Sequence, residues 1–196
     1  MKTFNRLAVY CGSATPADPI FVETARAVGV ALAERGIGVV YGGGKAGLMG
    51  ILADAAMGAG GEVIGVIPEA LVNTEVAHRG LTELHVVPDM HARKALFTTL
   101  SDGFVTLPGG VGTMDELWEA ISWAQLGYHD KPVGLLNVGG FYDQLIAFND
   151  HMINTGFIRP AHAGILIARE SLSELIDAMA GYQPHEPIFA MSLDRL

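Results

Sequence analysis

Residues 103–126 read GFVTLPGGVGTMDELWEAISWAQL, and the order of features along them decides the fold. Phe104 to Leu107 is a short apolar run flanked by glycine and proline, the pattern of a buried strand. In ELWEAISWAQL, which closes the stretch, apolar residues recur at helical spacing. Between strand and helix lies the turn Pro108 to Glu116, PGGVGTMDE. Gly109, Gly110 and Gly112 permit positive backbone dihedrals and leave amides uncovered, so that a ligand oxygen can approach them. Free amides at the start of a helix, together with its dipole, favour an anion there. Thr113 is the expected N-cap, its hydroxyl serving either the helix or a phosphate.

Outward from this unit the same alternation continues. Strands are predicted near Leu7 to Cys11, Gly38 to Tyr41, Glu62 to Ile67, Glu83 to Val87, Gly103 to Leu107, Val133 to Asn137 and Ile165 to Ala168. Helices are predicted near Ala17 to Arg35, Leu48 to Gly58, Met90 to Leu100, Met114 to Leu126, Tyr142 to Asn154 and Ser171 to Ala180. The alternation describes an α/β fold, a doubly wound parallel sheet of about seven strands with helices on both faces. A chain of 196 residues suits a single domain, residues 1–196. In such sheets ligands bind outside the carboxyl ends of the strands. The informative residues are then Cys11-Gly12-Ser13, Gly42 to Lys45, Asp89 to Lys94 and the PGGVGTMDE turn. Pro68 to Leu81 is the long loop, a length that in compact domains is often functional.

Charged residues are 17% of the chain, against roughly 25% in a typical soluble domain, and mean hydropathy is +0.34. Yet no stretch approaches the roughly 20 apolar residues of a membrane helix, and the N-terminal MKTFNRLAVYCGS has no signal-peptide core. The apolar surplus is therefore assigned to subunit contacts in a cytoplasmic oligomer with no membrane partner. Twelve Lys plus Arg against 21 Asp plus Glu give a net charge of -9 without a basic run, which disfavours polymeric nucleic acid as a partner. A small anionic ligand is compatible with that surface, because backbone amides and one or two cations suffice to hold a phosphate. The single Cys11 excludes an internal disulfide and any paired-cysteine motif. The seven His show no HExxH spacing, so no metal is expected.

Each motif also has a plainer reading. Thr113-Met114-Asp115-Glu116 fits a capping box, in which Glu116 bonds back to the cap amide and catalyses nothing. Asp89 is a natural cap, but Arg93 and Lys94 then fall in or near a first helical turn, where cations oppose the macrodipole at about 0.3 to 1 kcal/mol each. A locally unfavourable choice suggests another use, unless both simply reach solvent or pair with acids. His91 is expected to be partly buried and satisfied by backbone. The run Gly42 to Gly47 fits GxGxxG, with Glu69 a candidate ribose ligand, but it follows the second strand instead of the first. Lys45 is followed by Ala46 where a P-loop needs Ser or Thr, which leaves Gly43 and Gly44 as a second close-approach turn. Trp118, Ile121 and Leu126, with Trp123 nearby, belong either to the core or to a subunit interface.

With these motifs in hand the sequence resembles the LOG family, the cytokinin riboside 5'-monophosphate phosphoribohydrolases long labelled lysine decarboxylase-like. The signature PGGxGTxxE falls on Pro108 to Glu116 without departure, and MHxRK falls on Met90 to Lys94. Further matches are CGS at Cys11, GGGKAGLMG at Gly42, the NTEVAHRGLTEL loop and WAQLGYHDKPVGLLN at Trp123, so that the likeness runs from Leu7 to Ala168. The resemblance implies a Rossmann-like homodimer, without a cofactor, that cleaves a nucleoside 5'-monophosphate into free base and ribose 5-phosphate. It puts the catalytic pair on Arg93 and Glu116. Substrate contacts fall on Glu75, Lys94, Gly109, Gly110, Val111, Gly112, Thr113, Met114 and Asp115.

Glu116 suits that chemistry, since a carboxylate stabilises the positive charge that builds on a sugar as its bond to nitrogen breaks. Arg93 suits charge stabilisation better than proton donation, because a guanidinium has a pKa above about 12. Two other functions compete. A pyridoxal-phosphate decarboxylase needs a Schiff-base lysine, and the chain offers only Lys2, Lys45, Lys94 and Lys131. A nucleotide or cofactor carrier without turnover has no need of a carboxylate beside a glycosidic bond.

Overall fold

The computed structural model describes residues 3–72 and 77–188. Its strands are β1 (Arg6–Tyr10), β2 (Gly38–Tyr41), β3 (Val63–Pro68), β4 (Glu83–Val87), β5 (Phe104–Thr106), β6 (Val133–Leu136) and β7 (Leu166–Arg169). Its helices are α1 (Pro19–Glu34), α2 (Gly47–Gly58), α3 (Met90–Leu100), α4 (Val111–Leu126), α5 (Asp143–Asn154) and α6 (Leu172–Ala180). All seven strands form one sheet in the order β4-β3-β2-β1-β5-β6-β7, and every pairing is parallel. The doubly wound α/β expectation is met, with element limits shifted by a few residues at most.

Side chains along the central strands alternate between two cores, as a pleated strand buried on both faces requires. Leu7 and Val9 of β1 join the core beneath α1, α2 and α6, while Ala8 and Tyr10 join the core beneath α3 and α4. On β2, Val39 and Tyr41 divide from Val40 in the same way. Leu32, Leu48 and Met179 fill the first layer, and Phe97, Leu117 and Ile121 fill the second. Trp118 is only partly buried against this second core.

The strand order fixes where a ligand can enter. From β1 the chain winds outward through β2, β3 and β4, then returns to place β5 on the other side of β1 and continues to β7. The two strands at this reversal, β1 and β5, send their following turns in opposite directions and leave a crevice at their carboxyl ends. Gly12 and Pro108 leave the strands there, tied by a hydrogen bond from the Gly12 amide to the Pro108 carbonyl at 3.2 Å. The loop after β3 begins as a single 3-10 turn, Glu69–Leu71, and Ala77 later bridges to Gly44. No helix among the described residues is long and apolar enough to cross a membrane.

Candidate active site

Helix α4 begins three residues earlier than its sequence suggests, and the difference changes the role of Glu116. Gly110 is the N-cap, Val111 the first helical residue, and no side chain caps the turn. Thr113 is therefore not the cap. It lies inside the first turn and is 4% exposed. The capping-box reading falls with it, because Glu116 then sits beyond the first turn, which contains no acid. The first helical bond recorded runs from the Met114 amide to the Gly110 carbonyl at 3.1 Å, so the amides before it lack helical acceptors. Gly110 to Thr113 line the crevice, an arrangement of free amides that can accept an anion.

The glycines of this turn work by absence of side chain and not by unusual dihedrals, since Gly109, Gly110 and Gly112 all have negative φ or extended backbone. At Gly109 a methyl group would collide with the Thr113 side chain and lie 2.9 Å from the Gly12 amide nitrogen, so glycine lets the two turns close together. Around Gly110 and Gly112 there is open space, which is the room a ligand would occupy.

A cleft of about 240 Å³ lies at this point. Ser13, Gly110, Gly112 and Thr113 form its polar end, Met49, Leu71 and Met90 its apolar wall, and Arg93 and Glu116 its floor. Asp89 caps α3 by accepting from the Ala92 amide at 2.8 Å, which sets Arg93 one turn into the helix and aimed at the sheet. Arg93 is 4% exposed. Its Nη2 donates to the Gly42 carbonyl at 3.3 Å and lies 3.8 Å from Glu116 Oε1, and its guanidinium sits 5.5 Å from the Phe97 ring centroid. Its Nε is buried without a hydrogen-bond partner. A Cβ at Gly42 would displace the guanidinium from this position. Burial, and then the charge of Glu116, push the Cys11 thiol on the cleft wall well above the usual thiol range, so it remains protonated.

Other residues marked in the sequence are distributed less compactly. Lys94 does not line the cleft. Its Nζ turns to Asp115 Oδ2 at 3.2 Å and Glu119 Oε2 at 2.5 Å, and although burial alone would lower its pKa, these bonds raise it overall. Met114 faces α5, in a groove with Trp118, Leu145, Phe148 and Met152. Gly43 and Gly44 are buried behind the cleft, where the Gly43 carbonyl accepts from the His78 amide at 2.9 Å, and it is Gly42 that reaches the wall. Glu69 is exposed in the 3-10 turn, and His91 is exposed as well, not backbone-satisfied as expected. Glu75 lies outside the described residues. The apolar wall of Met49, Leu71 and Met90 is the part that sequence reasoning missed. Position could have found Leu71 and Met90, each three residues past the carboxyl end of a strand, whereas Met49 lies in the first turn of α2.

Fold and site together define a Rossmann-like α/β protein whose cleft joins the first amides of α4 to a partly buried carboxylate and a buried guanidinium. A family model described as "Possible lysine decarboxylase" matches residues 49–179. A probable cytokinin riboside 5'-monophosphate phosphoribohydrolase of Oryza sativa subsp. japonica is 46% identical over 186 residues, 94% of this chain and 76% of that one. A cytokinin riboside 5'-monophosphate phosphoribohydrolase of Arabidopsis thaliana is 45% identical, over 94% of this chain and 87% of its own length. The chain belongs to this family, the LOG family. Among solved structures, the molybdenum cofactor binding protein from Rippkaea orientalis superposes with a TM-score of 0.68 over 92% of this chain and 98% of its own. At 22% identity that likeness concerns the fold alone.

Proposed function

We propose that the protein hydrolyses the N-glycosidic bond of a nucleoside 5'-monophosphate, a cytokinin riboside 5'-monophosphate or AMP, to free base and ribose 5-phosphate. The observation that carries this reading is the placing of Arg93 and Glu116, 3.8 Å apart, in the same cleft as the amides that open α4. These amides take the 5'-phosphate, a part of the substrate that does not react, and so orient the sugar over Glu116. The apolar wall receives the base. As the C1'–N bond breaks, its electron pair leaves with the base, and the carboxylate stabilises the positive charge on the ribose. Water then adds its oxygen to C1' while Glu116 takes its proton, and the departing base is protonated from solvent. Arg93 stabilises the substrate electrostatically and holds Glu116 in place.

Purified protein mixed with AMP or isopentenyladenosine monophosphate should release free base, separated by chromatography. If no nucleoside monophosphate is cleaved, the hydrolase reading fails and a carrier role takes its place. The lysines argue against pyridoxal-phosphate chemistry. None lines the cleft among the described residues, Lys94 is held as an ammonium by two carboxylates, and Lys131 is bonded to the Thr98 and Ser101 carbonyls.

We also propose that the enzyme is a cytoplasmic homodimer joined through α4 and α5. Val111 at the cleft rim is 88% exposed, and Met114 and Trp118 continue the same side of α4 toward Phe148, itself 56% exposed. A cleft of about 240 Å³ is small beside the roughly 300 to 1,000 Å³ of most small-ligand sites, and a second copy seated on this stripe would deepen it.

A further inference from the structure

Successive carbonyls of the turn after β2 are each claimed by a different part of the chain. Gly42 accepts from Arg93 Nη2 at 3.3 Å, Gly43 from the His78 amide at 2.9 Å, and Gly44 from the Tyr41 hydroxyl at 3.2 Å. Gly44 also pairs with Ala77 in an isolated antiparallel bridge. The turn therefore leans on residues 77 and 78, and Arg93 leans on the turn. Gly43 has a φ of +73°, and a Cβ there would lie 3.2 Å from side-chain atoms of Ile67 and Leu84, so the turn is packed from its other side as well.

Ala77 and His78 are themselves tied down. The Ala77 amide donates to the Val72 carbonyl at 3.0 Å, which closes the loop after β3 one residue beyond Leu71, a member of the apolar cleft wall. His78 is 5% exposed. Its Nδ1 accepts from the Gly80 amide at 3.3 Å, which leaves the ring proton on Nε2 to be donated to Asp54 Oδ1 of α2 at 2.9 Å. With both nitrogens satisfied the buried ring is fixed in one orientation, and the backbone around it with it. His78 stands in the NTEVAHRGLTEL stretch, and the proposed reaction gives it no role of its own. Neither His78 nor Asp54 lines the cleft. We infer that Asp54 and His78 are positioning residues for the hydrolysis: they pin the stem of the loop after β3 to α2, and that stem, through the Gly43 carbonyl, fixes the turn against which the Arg93 guanidinium is set. The same stem carries Leu71 to the cleft wall. This rests on the hydrolase reading given above.

Turnover of a nucleoside monophosphate by the wild-type full-length protein tests the hydrolase reading by itself, and the variants then test the inference. Asp54→Ala removes a carboxyl that is 59% exposed, so the fold should survive it, as circular dichroism checks. Its kcat/KM should fall by about tenfold, most of it in kcat, because a displaced Arg93 loses charge stabilisation where it matters to the reaction. His78→Ala should behave alike, and His78→Gln, which keeps an N–H donor near the Nε2 position, should recover part of the loss. Asp54→Ala and His78→Ala combined should lose no more than either alone, since both break one tie. Hydrogen exchange reads the tie without turnover: the His78 amide should open about tenfold more readily in Asp54→Ala. Glu62→Gln, which breaks a partly exposed ion pair at the amino ends of the strands, controls for lost stability and should leave kcat unchanged. Wild-type kcat in folded Asp54→Ala would overturn the inference whatever His78→Ala does to folding, leaving the pair a surface tie between α2 and the loop. Additive losses in the double variant would overturn it too, because the two residues would then act separately.

Discussion

Glu116 and Arg93 approach to 3.8 Å with side chains 12% and 5% exposed, so neither charge is well hydrated. A carboxylate in that position feels nearby charges more strongly than one in water, and it is held ready before any substrate arrives. Glu116→Gln keeps the shape and a hydrogen-bond acceptor but removes the base and the negative charge. The expected outcome is a fall in kcat of roughly 10² to 10⁴, with nucleotide binding by calorimetry retained. Unchanged kcat would reduce Glu116 to a packing partner of Arg93. Its acidic neighbours illustrate how much one position matters. Asp115, next in the chain, points to Lys94 and solvent, while Glu119, one turn on, lines a small recess.

Helix α4 contributes at the next scale, because its first turn is a structural start and, on the function proposed, also the surface that takes the phosphate. Gly112 lies within that turn at ordinary helical geometry with open space beside it. Glycine inside a helix costs roughly 0.5 to 1 kcal/mol relative to alanine, so its presence points to the ligand and not to the fold. Gly112→Ala should raise the thermal midpoint and also raise KM, since the new methyl stands where a phosphate would approach the amides. A variant with unchanged KM would move the phosphate elsewhere. At Gly109 the same change should lower stability, because the methyl meets Thr113 and the Gly12 backbone. The pair of substitutions, read by melting curves, separates a glycine kept for packing from one kept for binding.

Across the whole molecule, the exposed apolar stripe on α4 and α5 and the low charge fraction lead to one expectation about assembly. Light scattering should give a mass near twice the 20.7 kDa chain, and Trp118→Asp should shift it toward one chain. A monomeric wild type would dispose of the dimer. The fold also carries a pH-dependent tie between β1 and the residue that precedes β3. Arg6 hydrogen-bonds Glu62 at 2.7 Å and holds that carboxyl below the usual carboxylate range. Because the folded-state value is the lower one, the contribution is complete above the unfolded value and is lost as pH falls through the folded one. Both side chains are more than a third exposed, and screening limits the pair to under about 1 kcal/mol. Glu62→Gln should therefore destabilise slightly in urea at neutral pH and make no difference in strong acid.

The sequence by itself determined the α/β class, the alternation of strands and helices, and the glycine turn between β5 and α4. These features are local: runs of apolar residues, helical periodicity and glycines after strands are written at short separation along the chain. It also singled out Arg93, whose charge opposes the start of its own helix. The tertiary structure decided what lies between distant segments. Whether Glu116 capped its helix or faced Arg93 turned on a shift of three residues in where α4 begins. The same is true of Lys94, a substrate contact by the family resemblance, whose ammonium the α3–α4 contact turns toward Asp115 and Glu119. The crevice itself exists because β5 lies beside β1 and not beside β4, a choice made by the winding of the whole sheet and legible in no single segment.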